Sequence, residues 1–279
     1  MASSGGGRGE RIGLALGGGG ARGFAHVAVI EALDELGLRP AIIAGTSMGA
    51  VIGAGCAAGM TGAAIRSYAI ELFAKRSDVL GRIWQLRPKS VSDLFAQGVT
   101  QLDAERVVEA FLPKDLPEEF AGLATPLRVI ATDFYGWSEA VIEHGPLRRA
   151  VAASAAIPAL FRPVLADGRV LIDGGVTNPL PFDRLGEDCD ITIAVDVIGG
   201  PMSSHARIPG TTEALFGAAQ LFMQSVTREK LRSGRPPDIV IRAPANAFRA
   251  LDFMKAAEIL RAAEPMKEDL KRKMERVFA

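Results

Sequence analysis

The stretch IGLALGGGGARG, residues 12–23, runs a short apolar segment into four consecutive glycines and an arginine. An apolar run of this length ending in glycine reads as a buried strand of a parallel sheet. The next residues, FAHVAVIEALDELGL, repeat their apolar positions at helical spacing. Val27, Ile30, Leu33 and Leu36 share one face, and Glu31, Asp34 and Glu35 another. Gly37 suits the position just past the helix end. AIIAG then supplies a second strand, and MGAVIGAGCAAG a second, apolar helix. The order β-α-β-α predicts a mainly parallel sheet covered by helices.

The rest of the chain extends this pattern. LRVIATDF, RVLIDGG and DITIAVDVI read as further strands, AVIEHG as a candidate strand, and LRRAVAASAAIP as a short helix ending near Pro158. From about Thr211 the pattern is helical, ending in a polar amphipathic helix near Asp252–Phe278. Without repeats or a clear linker, residues 11–279 are expected to form one α/β domain. Its core motifs lie in 12–197 and its helical C-terminal portion in about 211–279. Residues 1–10 are expected to be a disordered leader, since MASSGGGRGE lacks the apolar stretch of a secretory signal.

Composition narrows the function classes. Of 279 residues, 48% are hydrophobic and 23% charged, and 32 Lys and Arg balance 32 Asp and Glu. That balance gives nucleic acid no electrostatic reason to bind, and the mixed-sign run KEDLKRKMERVF reads as a solvated helix face. Cys56 and Cys189 lack metal-ligand spacing and suit a reduced compartment, so a cytoplasmic location is expected. Residues 41–65 carry no charge and are long enough to span a bilayer. They are nonetheless poor in large apolar residues and interrupted by GTS, so a strand, a turn and a buried helix are the expectation.

Gly18, Gly20 and Gly23 satisfy G-x-G-x-x-G, the fingerprint of dinucleotide folds. Such folds place an acid at the end of the second strand to bind the ribose. Here no Asp or Glu occurs from Arg39 through Ile70, and no Lys-Ser/Thr follows the glycines as a P-loop requires. What stands at that strand end is GTSMG, residues 45–49. G-x-S-x-G between strand and helix projects a serine from a sharp turn, with glycines two before and two after to relieve crowding. Ser47 is therefore a candidate nucleophile, the alternative being a helix N-cap. The glycine loop acquires a matching purpose. Both loops follow parallel strands and emerge at the same sheet edge. Backbone N–H groups of the first could hold the oxyanion that acyl transfer creates. Arg22 is expected to add a donor or to brace the loop.

A serine hydroxyl needs a base, and the chain has three histidines. His26 reads as core or capping, His144 as part of a hairpin, and His205 lies in a polar loop. In the order Ser…Asp…His, only His205 could complete a triad. The other candidate is Asp173 in VLIDGGVTNPLP, which closes an apolar strand. Burial there would raise its pKa and make it a better base. A turn-forming Asp before Gly-Gly is the competing reading.

Taken together, GGGGARG, GTSMG and DGG, with AVAASAAIPALFRPV and DGGVTNPLP, resemble the patatin-like phospholipase family over about residues 12–197. The resemblance implies a three-layer α/β/α sandwich and a Ser–Asp dyad without histidine. It assigns Ser47 as nucleophile and Asp173 as proton acceptor. Gly18, Gly19, Gly20 and Arg22 fall on the oxyanion loop, with Gly23, Gly45, Gly49, Gly174 and Gly175 supporting the motifs. It further implies a serine acyl hydrolase acting on a lipid or other acyl ester, with no metal and no cofactor. Two alternatives stay open: a Ser-His-Asp esterase using His205, and a catalytically weak or inactive regulatory protein that keeps the fold. Peripheral membrane contact is expected through Ile83–Trp84 or Leu94–Phe95.

Overall fold

β1 (Ile12–Leu16) pairs in parallel with β2 (Pro40–Thr46) on one side and β7 (Ile191–Asp196) on the other. β2 leads on to β3 (Leu127–Asp133) and β7 to β8 (Ile239–Arg242), again in parallel. The parallel order is therefore β3-β2-β1-β7-β8. Three antiparallel strands complete the sheet: β4 (Ser138–Ile142), β5 (Val164–Ala166) and β6 (Arg169–Asp173). These assignments come from a computed structural model that describes residues 10–75, 77, 79, 81, 84, 101–187, 189–201 and 208–278. Residues 1–9 of the leader, Ile83 and Leu94–Phe95, and His205 lie outside the described residues.

One detail of the pairing places the site. At Val129 and Ile130, β3 pairs with β4 on one edge and with Gly45 and Thr46 of β2 on the other. At Ala131 to Asp133, β4 still holds the first edge, but β6 has replaced β2 on the second. Thr46 faces Ile130, and Asp173 faces Ala131. The two strands thus meet end to end along one edge of β3, and the residue after Thr46 is Ser47.

Alternation along the central strands builds two unequal cores. Leu14, Leu16, Ile43, Val129, Ile193 and Val195 face the larger one. It is covered by helices α1 (His26–Glu35), α2 (Met48–Ala57), α3 (Gly62–Phe73), α4 (Ala104–Phe111) and α5 (Leu147–Ser154), and by α7 (Ala256–Ala262) and α8 (Pro265–Phe278). Ala15, Ala44 and Ala194 face the other side, where small side chains admit Leu180, Phe182, Leu185 and Leu231. Leu231 belongs to α6 (Thr211–Ser233), which with residues 180–187 forms the third layer. This is the expected α/β/α arrangement.

The C-terminal portion is helical, with one correction. IVIR, residues 239–242, forms β8 at the edge of the sheet. A run of three apolar residues is too short for its period to separate strand from helix, so only pairing with β7 decides it. Residues 41–65 fold as β2, the turn at Ser47, α2 and the start of α3, and no helix among the described residues is long and apolar enough to cross a membrane.

Ion pairs dock the last helix. Glu31 on α1 accepts from Arg66 Nε and lies 2.6 Å from Lys267 Nζ, while Lys271 pairs with Glu35. Glu31 is buried, so removing it takes the buried carboxylate from Arg66 and Lys267 and leaves both to Glu264 at the surface. Glu31→Ala is expected to lower unfolding free energy by about 2 kcal/mol in urea titrations. Arg232→Ala, on an exposed pair, should change it by no more than about 0.5 kcal/mol.

Candidate active site

Ser47 has φ 54 and ψ −121, a left-handed conformation that a serine adopts only under constraint. Close packing supplies the constraint. A Cβ added at Gly49 would stand 2.0 Å from the Leu16 carbonyl oxygen, and one at Gly45 2.7 Å from Ala50 Cα. The turn therefore lies flat against β1 and closes on itself, which is why GTSMG needs both glycines. A hydrogen bond fixes the strained peptide. Ser154 Oγ accepts the Ser47 N–H at 2.8 Å and donates to the Ile130 carbonyl at 2.5 Å. Ser47 does stand before the first residue of α2, but its side chain makes no capping bond to the helix.

Its hydroxyl turns instead to the end of β6. Ser47 Oγ donates to Asp173 Oδ2 at 2.7 Å, and Gly175 N–H donates to Asp173 Oδ1 at 2.7 Å. The Asp173 carbonyl accepts from Thr132 Oγ1, which also bonds Thr177. Ser47 is 5% exposed and Asp173 7%, so the carboxyl sits in low dielectric. Burial pushes the Asp173 acid up to about 6, against the opposing pull of its bonds from Ser47 and Gly175.

The glycine loop lies across the same gap. A Cβ placed on Gly18 would fall 3.4 Å from Ser47 Cβ. Several of the loop's N–H groups are already spent. Gly17 donates to Val195, Gly18 to the Pro179 carbonyl, and Ala21 to Ala250. Among the described residues, Gly19 and Gly20 N–H have no acceptor within the protein. Gly18 thus acts as an anchor, and Gly19 and Gly20 are the loop's uncommitted donors.

Arg22 also turns from donor to brace. Its Nε donates to the Phe248 carbonyl, and its guanidinium packs against Gly199 behind the loop. Burial lowers its pKa, and Asp252 opposes that shift. His26 is fully buried, with Nε2 2.8 Å from the Gly17 carbonyl. Burial drops its pKa to about 4, so it is a neutral donor at Nε2 that fixes the Gly17–Gly18 peptide. Thr46 Oγ1 donates to the Asn178 carbonyl, tying β2 to the segment that anchors Gly18.

From Ser47 a cavity of about 310 Å³ runs between α2, α3 and α4. Its lining is almost wholly apolar, including Val51, Ile65, Leu72, Phe73 and Phe111. Met223 of α6 packs against the two loops: a Cβ on Gly175 would lie 3.0 Å from Met223 Cε, and one on Gly18 3.5 Å.

A family model described as patatin-like phospholipase matches residues 14–185, which include the glycine loop, Ser47 and Asp173. The chain belongs to the patatin-like phospholipase family. It is 40% identical over 192 residues to an uncharacterized NTE family protein of Mycobacterium tuberculosis, covering 68% of this chain and 49% of that one. It is 26% identical over 287 residues to Lysophospholipase NTE1 of Saccharomyces cerevisiae, covering 90% of this chain and 16% of the yeast protein. The chain thus spans about half the length of the mycobacterial relative. Among solved structures, VipD from Legionella pneumophila aligns at TM-score 0.48 and 16% identity, over 94% of this chain and 66% of VipD.

The patatin-like site includes residues the sequence did not single out. Ser154, Thr132 and Thr46 hold peptide groups, and Met223 comes from a helix far along the chain. Ser154 was visible only as one small residue among several in AVAASAAIP. Its partner, the Ser47 N–H, depends on tertiary packing.

The raised acid of Asp173 has a consequence for stability. Between about pH 4 and pH 6 the folded chain holds this proton and the unfolded chain does not, so stability contributed by the group is lost as pH rises to 6. About two pKa units correspond to about 3 kcal/mol. Asp173→Asn is expected to melt higher than the parent chain at pH 7.5, with the gap closing toward pH 4, as followed by circular dichroism.

Proposed function

We propose that this chain is a serine acyl hydrolase whose nucleophile is Ser47 and whose base is Asp173. The observation that carries the reading is the 2.7 Å bond from Ser47 Oγ to a buried carboxyl at the head of an apolar cavity. Asp173 removes the hydroxyl proton as Oγ attacks the ester carbonyl carbon. The carbonyl oxygen becomes an oxyanion, which Gly19 and Gly20 N–H groups stabilise, each such donor contributing about a hundred- to a thousand-fold in rate. Collapse breaks the ester C–O bond, and Asp173 returns the proton to the leaving alcohol. Water, deprotonated by the same carboxyl, then releases the acid from Ser47 and restores both groups. A carboxyl with a pKa near 6 is ionised at neutral pH and basic enough for both steps.

The cavity supports a class of substrate. Its apolar walls suit the acyl chain of a lipid ester, with the carbonyl at Ser47 and the alcohol portion toward the mouth. Membership of the patatin-like phospholipase family, and resemblance to proteins named lysophospholipases, point the same way. Residues 11–279 act in this reading as a single domain. An inactive regulatory role is the competing reading, and it has no use for a serine bonded to a carboxyl of raised pKa.

Ser47→Ala and Asp173→Asn are each expected to lower turnover of a chromogenic acyl ester by at least about a thousand-fold, with unchanged circular dichroism. A fluorophosphonate probe should label the parent chain and not Ser47→Ala; absence of labelling in both would favour the regulatory reading. His205→Ala should keep near-parental activity, and loss there with retention in Asp173→Asn would favour the triad. For the parent chain, kcat/KM should rise with pH to a plateau above a single apparent pKa near 6, and a flat profile from pH 5 to 8 would remove Asp173 from the role of base.

A further inference from the structure

The turn between β3 and β4, residues 134–137, carries three aromatic side chains in four positions. β3 runs parallel to β2, and Thr46 pairs with Ile130. The chain beyond Asp133 therefore projects past the level of Ser47 on the same sheet edge. Phe134 is 51% exposed, Tyr135 75% and Trp137 90%. The Phe134 and Tyr135 rings meet edge to face at 5.1 Å. Single exposed apolar residues are ordinary on a protein surface, but a cluster beside a site is not.

Trp137 is also strained. Its φ is 52, in the left-handed region that bulky residues avoid and that glycine or asparagine would take at little cost. Asp133 Oδ1 accepts from Gly136 N–H and holds the turn in shape. The fold thus keeps a large ring in water, in an unfavourable backbone conformation, with no core contact in return. Other exposed apolar side chains stand near the Ser47–Asp173 pair. Val176 is exposed and follows Gly175, and exposed Leu221 and Phe222 precede Met223, which lies over that glycine.

We propose that this rim, centred on the 134–137 turn, docks on the headgroup–acyl boundary of a lipid bilayer. Trp and Tyr, each with an apolar body and a polar tip, favour that boundary. Residues 134–137 contain no charged side chain, and the flanking Glu139 is held by Arg184 and Asn178. The flanking Asp133 carboxylate is turned onto Gly136 N–H, and the four tip residues carry no cation to require acidic lipid, so a zwitterionic surface suffices. The inference deepens the acyl-hydrolase reading and rests on it for the substrate: an ester too apolar to leave a bilayer is met at its surface, on the sheet edge that carries Ser47.

The test uses the full chain in a Ser47→Ala background, so that hydrolysis cannot alter the vesicles, with phosphatidylcholine vesicles as the probe. The chain has two tryptophans, and Trp84→Phe leaves Trp137 as the sole reporter. Binding should shift its emission to the blue. In co-sedimentation, combined Phe134→Ser, Tyr135→Ser and Trp137→Asn should lower partition by about tenfold or more, since each ring buries roughly 150–250 Å² when inserted. The same three changes made with Ser47 intact should leave turnover of a soluble short-chain ester within about twofold and the melting temperature unreduced. Equal partition of the parent and triple variant overturns the proposal, as does a parent chain that fails to bind. Loss of binding in Trp84→Ser with retention in the triple variant also overturns it, and so does a dimer, seen by analytical ultracentrifugation, that the three changes dissociate. Vesicle binding that depends on the turn, in a chain that turns over no ester, would reject the hydrolase reading and leave the docking surface standing.

Discussion

The site depends on how two strands divide one edge of a third. β2 pairs with β3 as far as Ile130, and β6, running the other way, takes the same edge from Ala131. Strand ends that meet head to head bring their terminal side chains together. Ser47 and Asp173 are 126 positions apart in the chain, yet a single 2.7 Å bond joins them. A shift of one residue in either register would turn its strand-end side chain to the other face. The anchoring of those registers, by Ser154 on the Ile130 carbonyl and Thr132 on the Asp173 carbonyl, therefore matters as much as the pair itself.

That geometry is held against local preference. Ser47 occupies a left-handed backbone conformation, and Asp173 is a carboxyl almost without water. Each feature weakens the fold, by about 1–3 kcal/mol for the backbone strain and about 3 kcal/mol for the raised acid at neutral pH. In the proposed chemistry both have a use: the strained turn aims the hydroxyl at an incoming carbonyl carbon, and the desolvation strengthens a base. The surrounding structure offsets them through the large apolar core and the ion pairs that hold the last helix to α1.

Polarity is distributed unevenly about this centre. Backbone donors gather on the glycine-loop side, where Gly17, Gly18 and Ala21 are consumed as anchors and Gly19 and Gly20 are left over. The cavity on the other side offers almost nothing but hydrocarbon. An ester linkage with an apolar tail has the same division, a polar carbonyl joined to a chain that prefers to leave water. The exposed aromatic turn repeats that logic at the surface, where rings with polar tips stand on the same edge as the serine.

By itself the sequence determined the alternation of strands and helices, the two glycine-flanked turns after β1 and β2, and the family. Those features rest on local chemistry: apolar period, turn residues and motif spacing. It also named Ser47 and Asp173 as a candidate pair, through motif order rather than through any sign of proximity. It could not assign β8, because three apolar residues fit either period. Nor could it divide the loop's amides into anchors and free donors, turn Arg22 toward Phe248, or bring in Ser154 and Met223. Those were decided only by tertiary structure, because a hydrogen bond or a close contact depends on which distant backbone arrives alongside, and no local pattern records that arrival.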